Sequence, residues 1–416
     1  MQYVLGNMLN GGGGLNADKL ALDLQFAADK TLTARKGPTP TFSRGSTGTF
    51  VGSDGLIQSA AINTPRFDHN PVTLACRGLL IEEQRTNFIT YSQDFSNIVY
   101  SKTGSSISSV STTSPSGGTT SQKIVEDTSN GAHGIETPTF AAGTYTCSVF
   151  VKASGRSWFR FSLSGVNTWF NISSGVIGTI GAGHTASIVS FGNGWYRVIV
   201  TFTSASVAGA LLRLATDNNI STYTGDGSSG LLLWGLQVEA GSFATSYIPT
   251  TTSALTRSAD VCNITGAAFS GIWNPSEGTM FTHHQKTVGG ANSFIFHIND
   301  NTFANDLSHR CGTTGTAAIM NVSNVAQLTG FDATYASGSI AKTATAIRLN
   351  DCAFSVNAGS AITDLSASLP TVNRMFIGST HTSTNHLNGT ISAIRYYRNA
   401  SRTRNSKLSP YKAGLS

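Results

Sequence analysis

Charge is scarce: Asp, Glu, Lys and Arg supply 12% of the 416 residues, about half the usual share for soluble proteins. Glu, Lys, Ala and Leu, the residues that build helices, are not in excess, which argues against a helical body. Cysteine is sparse, odd in number and scattered (Cys76, Cys147, Cys262, Cys311, Cys352). With no CxxC spacing, zinc and thiol-redox motifs are excluded, and buried free thiols in a reducing cytoplasm are the plain expectation. Apolar runs fall far short of the roughly 20 residues a membrane helix needs. No basic segment leading into an apolar stretch opens the chain, so neither a signal peptide nor membrane insertion is expected. Chemical motifs are missing too. Gly11 to Gly14 are not followed by the Lys-Ser/Thr of a phosphate loop, and no HExxH, EF-hand loop or GxSxG elbow occurs. Glu82 and Glu83 are neighbours, so on a strand they face opposite sides and cannot flank one glycosidic bond. Their expected use is structural pairing with Arg77 or Arg85. His283 and His284 point apart for the same reason, which excludes joint metal ligation. No enzyme is expected.

What the chain has is Gly, Ser, Thr and Asn between short β-branched and aromatic runs, with hydrophobic residues at 39%. That pattern reads as almost entirely β rather than disordered. At Leu231 to Ala259 one domain ends. Leu232, Trp234, Leu236 and Val238 alternate with Gly235, Gln237 and Glu239 as in a half-buried strand, and an extended exit around Pro249 follows. Ahead of it, strands are expected at Gln122–Glu126, Tyr145–Val151, Ser157–Leu163, Thr168–Ile172, Ile188–Phe191, Tyr196–Phe202, Leu211–Ala215 and Leu231–Val238. Asn193-Gly194 marks the best hairpin turn. About eight strands at this spacing suit a jelly roll over residues 94–260. Residues 1–93 read as an arm: a short apolar peptide, the four glycines as a flexible joint, alternation from Leu20 to Phe26, then turn-rich extended chain. Residues 261–416 begin a second β pattern, with alternation around Phe281, Phe296, Ile347 and Phe376.

Two blocks carry a family resemblance. Pro65-Arg66-Phe67-Asp68 with Arg77-Gly78-Leu79-Leu80-Ile81-Glu82-Glu83-Gln84-Arg85-Thr86-Asn87, and Trp234-Gly235-Leu236-Gln237-Val238-Glu239-Ala240-Gly241-Ser242 running on to Tyr247-Ile248-Pro249, resemble paired blocks in tailed-bacteriophage virion proteins, fibres and appendages. The resemblance implies a virion structural protein assembled in the bacterial host cytoplasm. Its jelly roll would be of the carbohydrate-binding-module type. Its N-terminal arm would dock on other virion proteins (portal, tail or capsid), and homotrimers are implied. Phe376-Ile377-Gly378-Ser379 and Leu387 to Tyr397 resemble the final strands of laminin-G or concanavalin-like sandwiches, with Ile391, Ile394 and Tyr396 at that family's core positions. A basic tail stands where that family has an acidic helix.

The expected architecture is therefore all-β: tandem antiparallel β-sandwiches, a jelly roll followed by a laminin-G/concanavalin-like sandwich, with an extended N-terminal arm. Modules of this type hold sugars by stacking aromatics on the pyranose face, which makes Trp158, Trp169, Trp195 and Tyr223 the carbohydrate-binding candidates, while Trp234 belongs to an apolar face. Asp94 and Glu239, at the ends of the domain, could meet at a structural calcium site; no other cofactor is expected. After Asp364 the chain has no acidic residue but seven Lys and Arg, leaving the rest at −1 against a total of +6. A basic surface at Arg398, Arg402, Arg404 and Lys407 points to a negatively charged neighbour: acidic virion surface or host polysaccharide. Nucleic acid ranks last, with only tyrosines to stack. Contact with host surface polysaccharide is the expected task. A capsid decoration or tail adaptor is the alternative, and a polysaccharide-degrading tailspike is disfavoured by the lack of long repetitive strands and of an acid pair.

Overall fold

The computed structural model describes residues 17–205, 209–287, 292–312, 314–336 and 338–400. The proposed docking peptide, Gly11 to Gly14, and Arg402, Arg404 and Lys407 lie outside them. The described chain is all-β and forms two compact units, one of Ser43–Cys76 with Glu82–Asp260, the other of residues 17–42, Arg77–Ile81 and the described residues from Val261 onward.

The first unit is a jelly-roll sandwich of two six-stranded antiparallel sheets. One runs Thr185–Ser190, Trp195–Ser204, Gly143–Ser154, Gly230–Ala240, Gln122–Glu126, Ser105–Ser109. The other runs Val176–Ile177, Val166–Asn171, Trp158–Leu163, Ala210–Ala215, Gly134–Glu136, Ser101–Thr103. All eight strands expected from alternation are present. The additional short strands, Gly134–Glu136 among them, are too brief to show a period. The inner faces supply the core: Cys147, Val149 and Val151 pack with Val198, Val200 and Phe202 from one sheet, and Phe159, Phe161, Leu212 and Leu214 from the other. Asn193 and Gly194 adopt the positive φ of a tight hairpin turn (49° and 76°), as that dipeptide favours.

The long strand Gly230–Ala240 departs from simple alternation. Its pairing with Gly143–Ser154 shifts between Ser148 and Phe150, and Gly235 sits at φ 62° with the rings of Phe150 and Tyr247 against it. An inserted residue reverses the side-chain faces beyond it. Leu231, Leu233, Leu236 and Val238 therefore enter the main core, while Leu232 and Trp234 turn to the opposite face and pack with Phe150, Trp195 and Tyr247. The four residues expected on one face are thus split two and two.

The second unit is also two antiparallel sheets. One contains Ile362–Asp364, Cys352–Val356, Ile340–Arg348, Glu277–Lys286 and Gly389–Tyr397, with Leu20–Leu24 and residues 79–81 both paired to Gly389–Tyr397. The other contains Val261–Thr265, Arg374–Ile377, Ser293–Asn299, Asp306–Cys311, Thr314–Val322 and Val325–Ala336. Ile391, Ile394 and Tyr396 are buried, in keeping with their expected core positions. Of the stretch 1–93, expected as an arm with extended strands, residues 17–93 are distributed over both units. Leu20–Leu24 is a sheet strand whose Leu22 and Leu24 are fully buried, and residues 43–76 and 82–93 belong to the jelly-roll unit. Strand-forming alternation near a terminus finds a sheet edge, because unpaired backbone polar groups would otherwise be left beside the apolar face.

Candidate functional site

The two outer faces of the jelly roll differ. On the sheet containing Gly230–Ala240 the outer face is closed by a buried ionic network that joins Arg66, Glu82 and Ser246 of the two sequence blocks to Arg44, Arg257 and Asp260 outside them. Arg66 bonds Glu82 at 2.8 Å and also pairs with Asp260; Arg257 reaches Glu82 at 3.0 Å, and Arg44 reaches Asp260 at 3.1 Å. Both Glu82 oxygens also accept from Ser246, its N–H and its hydroxyl, at 2.7 Å. Burial alone would raise the Glu82 carboxyl, but Arg257 and Arg66 outweigh it and bring it down to about 2. Glu82 thus has a structural role, with distant arginines as partners where Arg77 or Arg85 was expected; Glu83 does take Arg85, at 2.6 Å. Asn87 is buried with all its hydrogen-bonding capacity used: its amide donates to the carbonyls of Leu236 and Ile248, and its oxygen accepts from the N–H groups of Ile89 and Val238.

The calcium pair does not form. Glu239 is buried and accepts from Gln237 at 2.7 Å and from the N–H and hydroxyl of Thr245. Asp94 accepts from Ser96 and Gln122. Glu239 is enclosed by its own donors, and Asp94 takes its donors from Ser96 and Gln122 on one oxygen. No group of three or more His, Cys, Asp or Glu able to hold a metal occurs among the described residues.

Of the four aromatic candidates, the structure leaves one with an open ring. Trp195 is buried, its indole N–H donating to the Thr113 carbonyl at 2.9 Å. Tyr223 donates to Glu126 at 2.8 Å, and its ring packs with Arg156 and His133. Neither can stack on a sugar, because protein groups already occupy the ring faces or the polar edge. Trp158 and Trp169 do belong together, on the outer face of the second sheet. Trp169 is 4% exposed, with the Arg160 guanidinium 5.5 Å from its ring centroid; Trp158 is half-buried. Register places the face in rows: Asn171, Trp158, Ala215; then Trp169, Arg160, Arg213, Gly134; then Asn167, Ser162, Leu211, Glu136. Alternation puts Phe159, Phe161, Leu212 and Leu214 inward and this set outward. The third row opens into a groove of about 790 Å³ lined by Glu136, Ser162, Leu163, Val166, His184 and Leu211 among others, room for an oligosaccharide. Sequence reasoning missed Arg160, Arg213 and Glu136. The signal was available: they share a strand face with the tryptophans.

In the second unit the only basic-surface candidate described, Arg398, donates to the carbonyls of Ile272 and Gly271 and so caps a turn. Its interior holds an unusual polar cluster. His284 bonds Cys311 at 3.3 Å and Thr282 at 3.1 Å, and Thr282 meets Thr343, which meets His309 at 2.9 Å. His309 Nε2 is buried without a partner. Burial, aided by His283, pushes His284 down to about 3; burial, aided by His284, pushes His309 well below its ordinary value. Burial raises the Cys311 thiol to about 11. A neutral imidazole beside a neutral thiol is not a nucleophile pair.

The fold and site define a tandem β-sandwich protein with one polar, aromatic-bearing sheet face. No family model and no curated protein matches the chain. Among solved structures, the mouse laminin α1 chain, domains LG4-5, aligns at 10% identity over 67% of this chain and 93% of that one, TM-score 0.24. The LG1-3 region of the laminin α2 chain aligns at 8% over 63% and 64%, TM-score 0.26. A GH43 protein from Bacillus licheniformis aligns at 11% over 85% and 74%, TM-score 0.22. Likeness at this level supplies neither residue correspondence nor activity.

Proposed function

We propose that this chain is a glycan-contacting structural protein of a tailed-bacteriophage particle, a fibre or appendage that binds host surface polysaccharide through its jelly roll. The observation that carries the glycan reading is the outer face of the second sheet, which carries half-buried Trp158 in one row and, two rows further along the strands, opens into a groove walled by Ser162, Glu136 and His184. An indole with part of its ring in solvent can stack a pyranose, and the polar groups of a groove on the same face can orient the hydroxyls of a longer chain. The virion setting is supported by the two sequence blocks; roughly the first 15 residues are proposed as the anchor to neighbouring virion proteins, and a homotrimer as the assembly.

The burial of Trp169 and Trp195 favours a second reading, a capsid decoration or adaptor protein that packs only on virion neighbours. Glycan-array binding by the full chain separates the two. Array signal lost on Trp158→Ala is the expected result, and a blank array with normal incorporation into particles would leave the decoration reading. Release of reducing ends from a bound polysaccharide would replace binding by hydrolysis.

A further inference from the structure

On the glycan-binding face two arginines stand directly opposite one another, Arg160 on Trp158–Leu163 and Arg213 on Ala210–Ala215. Like charges in register across strands destabilise a sheet, and neither guanidinium forms an ion pair among the described residues. Arg213 is 8% exposed, with Nε and Nη1 lacking any hydrogen-bond partner. Arg160 donates from Nη1 to Ser221 at 2.9 Å, but its Nε is also unpartnered. Elsewhere in this unit Arg66 and Arg257 are matched by carboxylates, whereas Arg197 bonds Ser148 and the Thr245 carbonyl. Glu136, one row away in the groove, opposes but does not cancel the burial that weakens Arg213's hold on its proton. The face thus carries a buried and a half-buried cation that no carboxylate pairs directly, which leaves room for an external anion.

We propose that this face recognises a carboxylate-bearing saccharide, with Arg213 and Arg160 taking the carboxylate and Trp158 the adjoining ring. The inference rests on the glycan reading above and adds the class of sugar. Charge-assisted hydrogen bonds to guanidinium are about twice as strong as neutral ones, and here they would form on a partly dry surface. The groove begins one row further on, at Ser162 and Leu211, about 7 Å along the same strands. That is one sugar residue away, so a chain of alternating or repeated uronic acids would continue into it.

The test uses the full chain and calorimetric titration with matched pairs: trigalacturonate and its methyl ester, sialyllactose and its methyl ester, a hyaluronan tetrasaccharide and its carboxyl-reduced form. The expected result is that at least one acidic member binds roughly tenfold or more tighter than its neutral partner, a gap that narrows as salt screens the charges. Arg213→Met and Arg160→Met should each remove that preference. Because an unpaired buried cation is costly, Arg213→Met should melt at the same or a higher temperature than the parent. A purely structural arginine would instead lose stability and binding together, which overturns the proposal. Equal binding of acidic and neutral members overturns the acidic assignment and leaves the glycan reading standing. Binding of no member, with a blank glycan array, removes both.

Discussion

Acidification from pH 7 to 5 should loosen the unit that contains His284 and His309 and leave the jelly roll intact. Both imidazoles are fully buried and neutral, held below their ordinary 6.5, His284 at about 3. The unfolded chain takes up a proton on each as pH falls through 6.5, whereas the folded unit does not until far lower. Stability is therefore complete above 6.5 and declines below it, by about 1.4 kcal/mol per pH unit per histidine. At pH 5 that is about 2 kcal/mol for each and about 4 kcal/mol for the pair, a large part of the roughly 5–15 kcal/mol that holds a domain folded. The buried thiols report each unit separately: Cys262, Cys311 and Cys352 for this one, Cys147 for the jelly roll. Labelling with a dithiodipyridine reagent across a urea gradient at each pH should shift the midpoint of the first three sharply and that of Cys147 little. Replacing both histidines, His284→Gln with His309→Gln, should flatten the dependence. A midpoint for Cys311 that is the same at pH 7 and 5, or a slope that survives the double substitution, would refute the reasoning.

The jelly roll, in which burial holds His184 below its ordinary value, should lose a little stability below pH 6.5 and most of it once its carboxylates titrate. Glu82, at about 2 in the folded state against 4.5, contributes above pH 4.5 and loses about 3 kcal/mol as pH falls toward 2, read as a Cys147 midpoint that falls most steeply below 4.5. Glu82→Gln should cost about 3–5 kcal/mol at neutral pH, since Arg66 and Arg257 would keep their burial and lose a counter-charge; an unchanged urea midpoint would show the network to be dispensable. Asn87→Ala should cost about 3 kcal/mol or more by leaving four buried backbone groups unmatched, measured by the same thiol. Trp158→Ala should leave the Cys147 midpoint within about 1 kcal/mol, its ring being half-exposed, while abolishing glycan-array signal; a stability loss as large as that of Asn87→Ala would make Trp158 a core residue.

Alternation made the strands legible because each inner face repeats with period two over five or more residues, as in Tyr145, Cys147, Val149 and Val151. The same rule misplaced Leu232 and Trp234, because a bulge is a one-residue event at Gly235 that only its paired strand and the rings of Phe150 and Tyr247 define. The candidate site was half legible for a related reason. Trp158 and Trp169 were found as aromatics, but Arg160 and Arg213 become a pair only when strands 53 residues apart come into register. Ion pairing failed in the same way: Arg77 and Arg85 are near Glu82 in sequence, yet Arg66 and Arg257 are what the fold delivers to it. Local spacing reports which side of a strand a residue takes, not what will stand opposite.

The two outer faces of the jelly roll show how that division bears on function. Both are polar strips on well-formed sheets, and both carry arginines. On one, Arg44, Arg66 and Arg257 are met by Glu82 and Asp260, the hydrogen bonds of Ser246 and Asn87 complete the set, and the conspicuous sequence blocks are consumed in closing the structure. On the other, Arg160 and Arg213 have no such counterparts and Trp158 keeps part of its ring in solvent. A residue pattern that resembles a family's need not mark a binding surface. Here Arg66, Glu82, Asn87 and Ser246 of the two blocks are used up inside the structure, whereas the face on which Arg160 and Arg213 stand opposed draws on neither block.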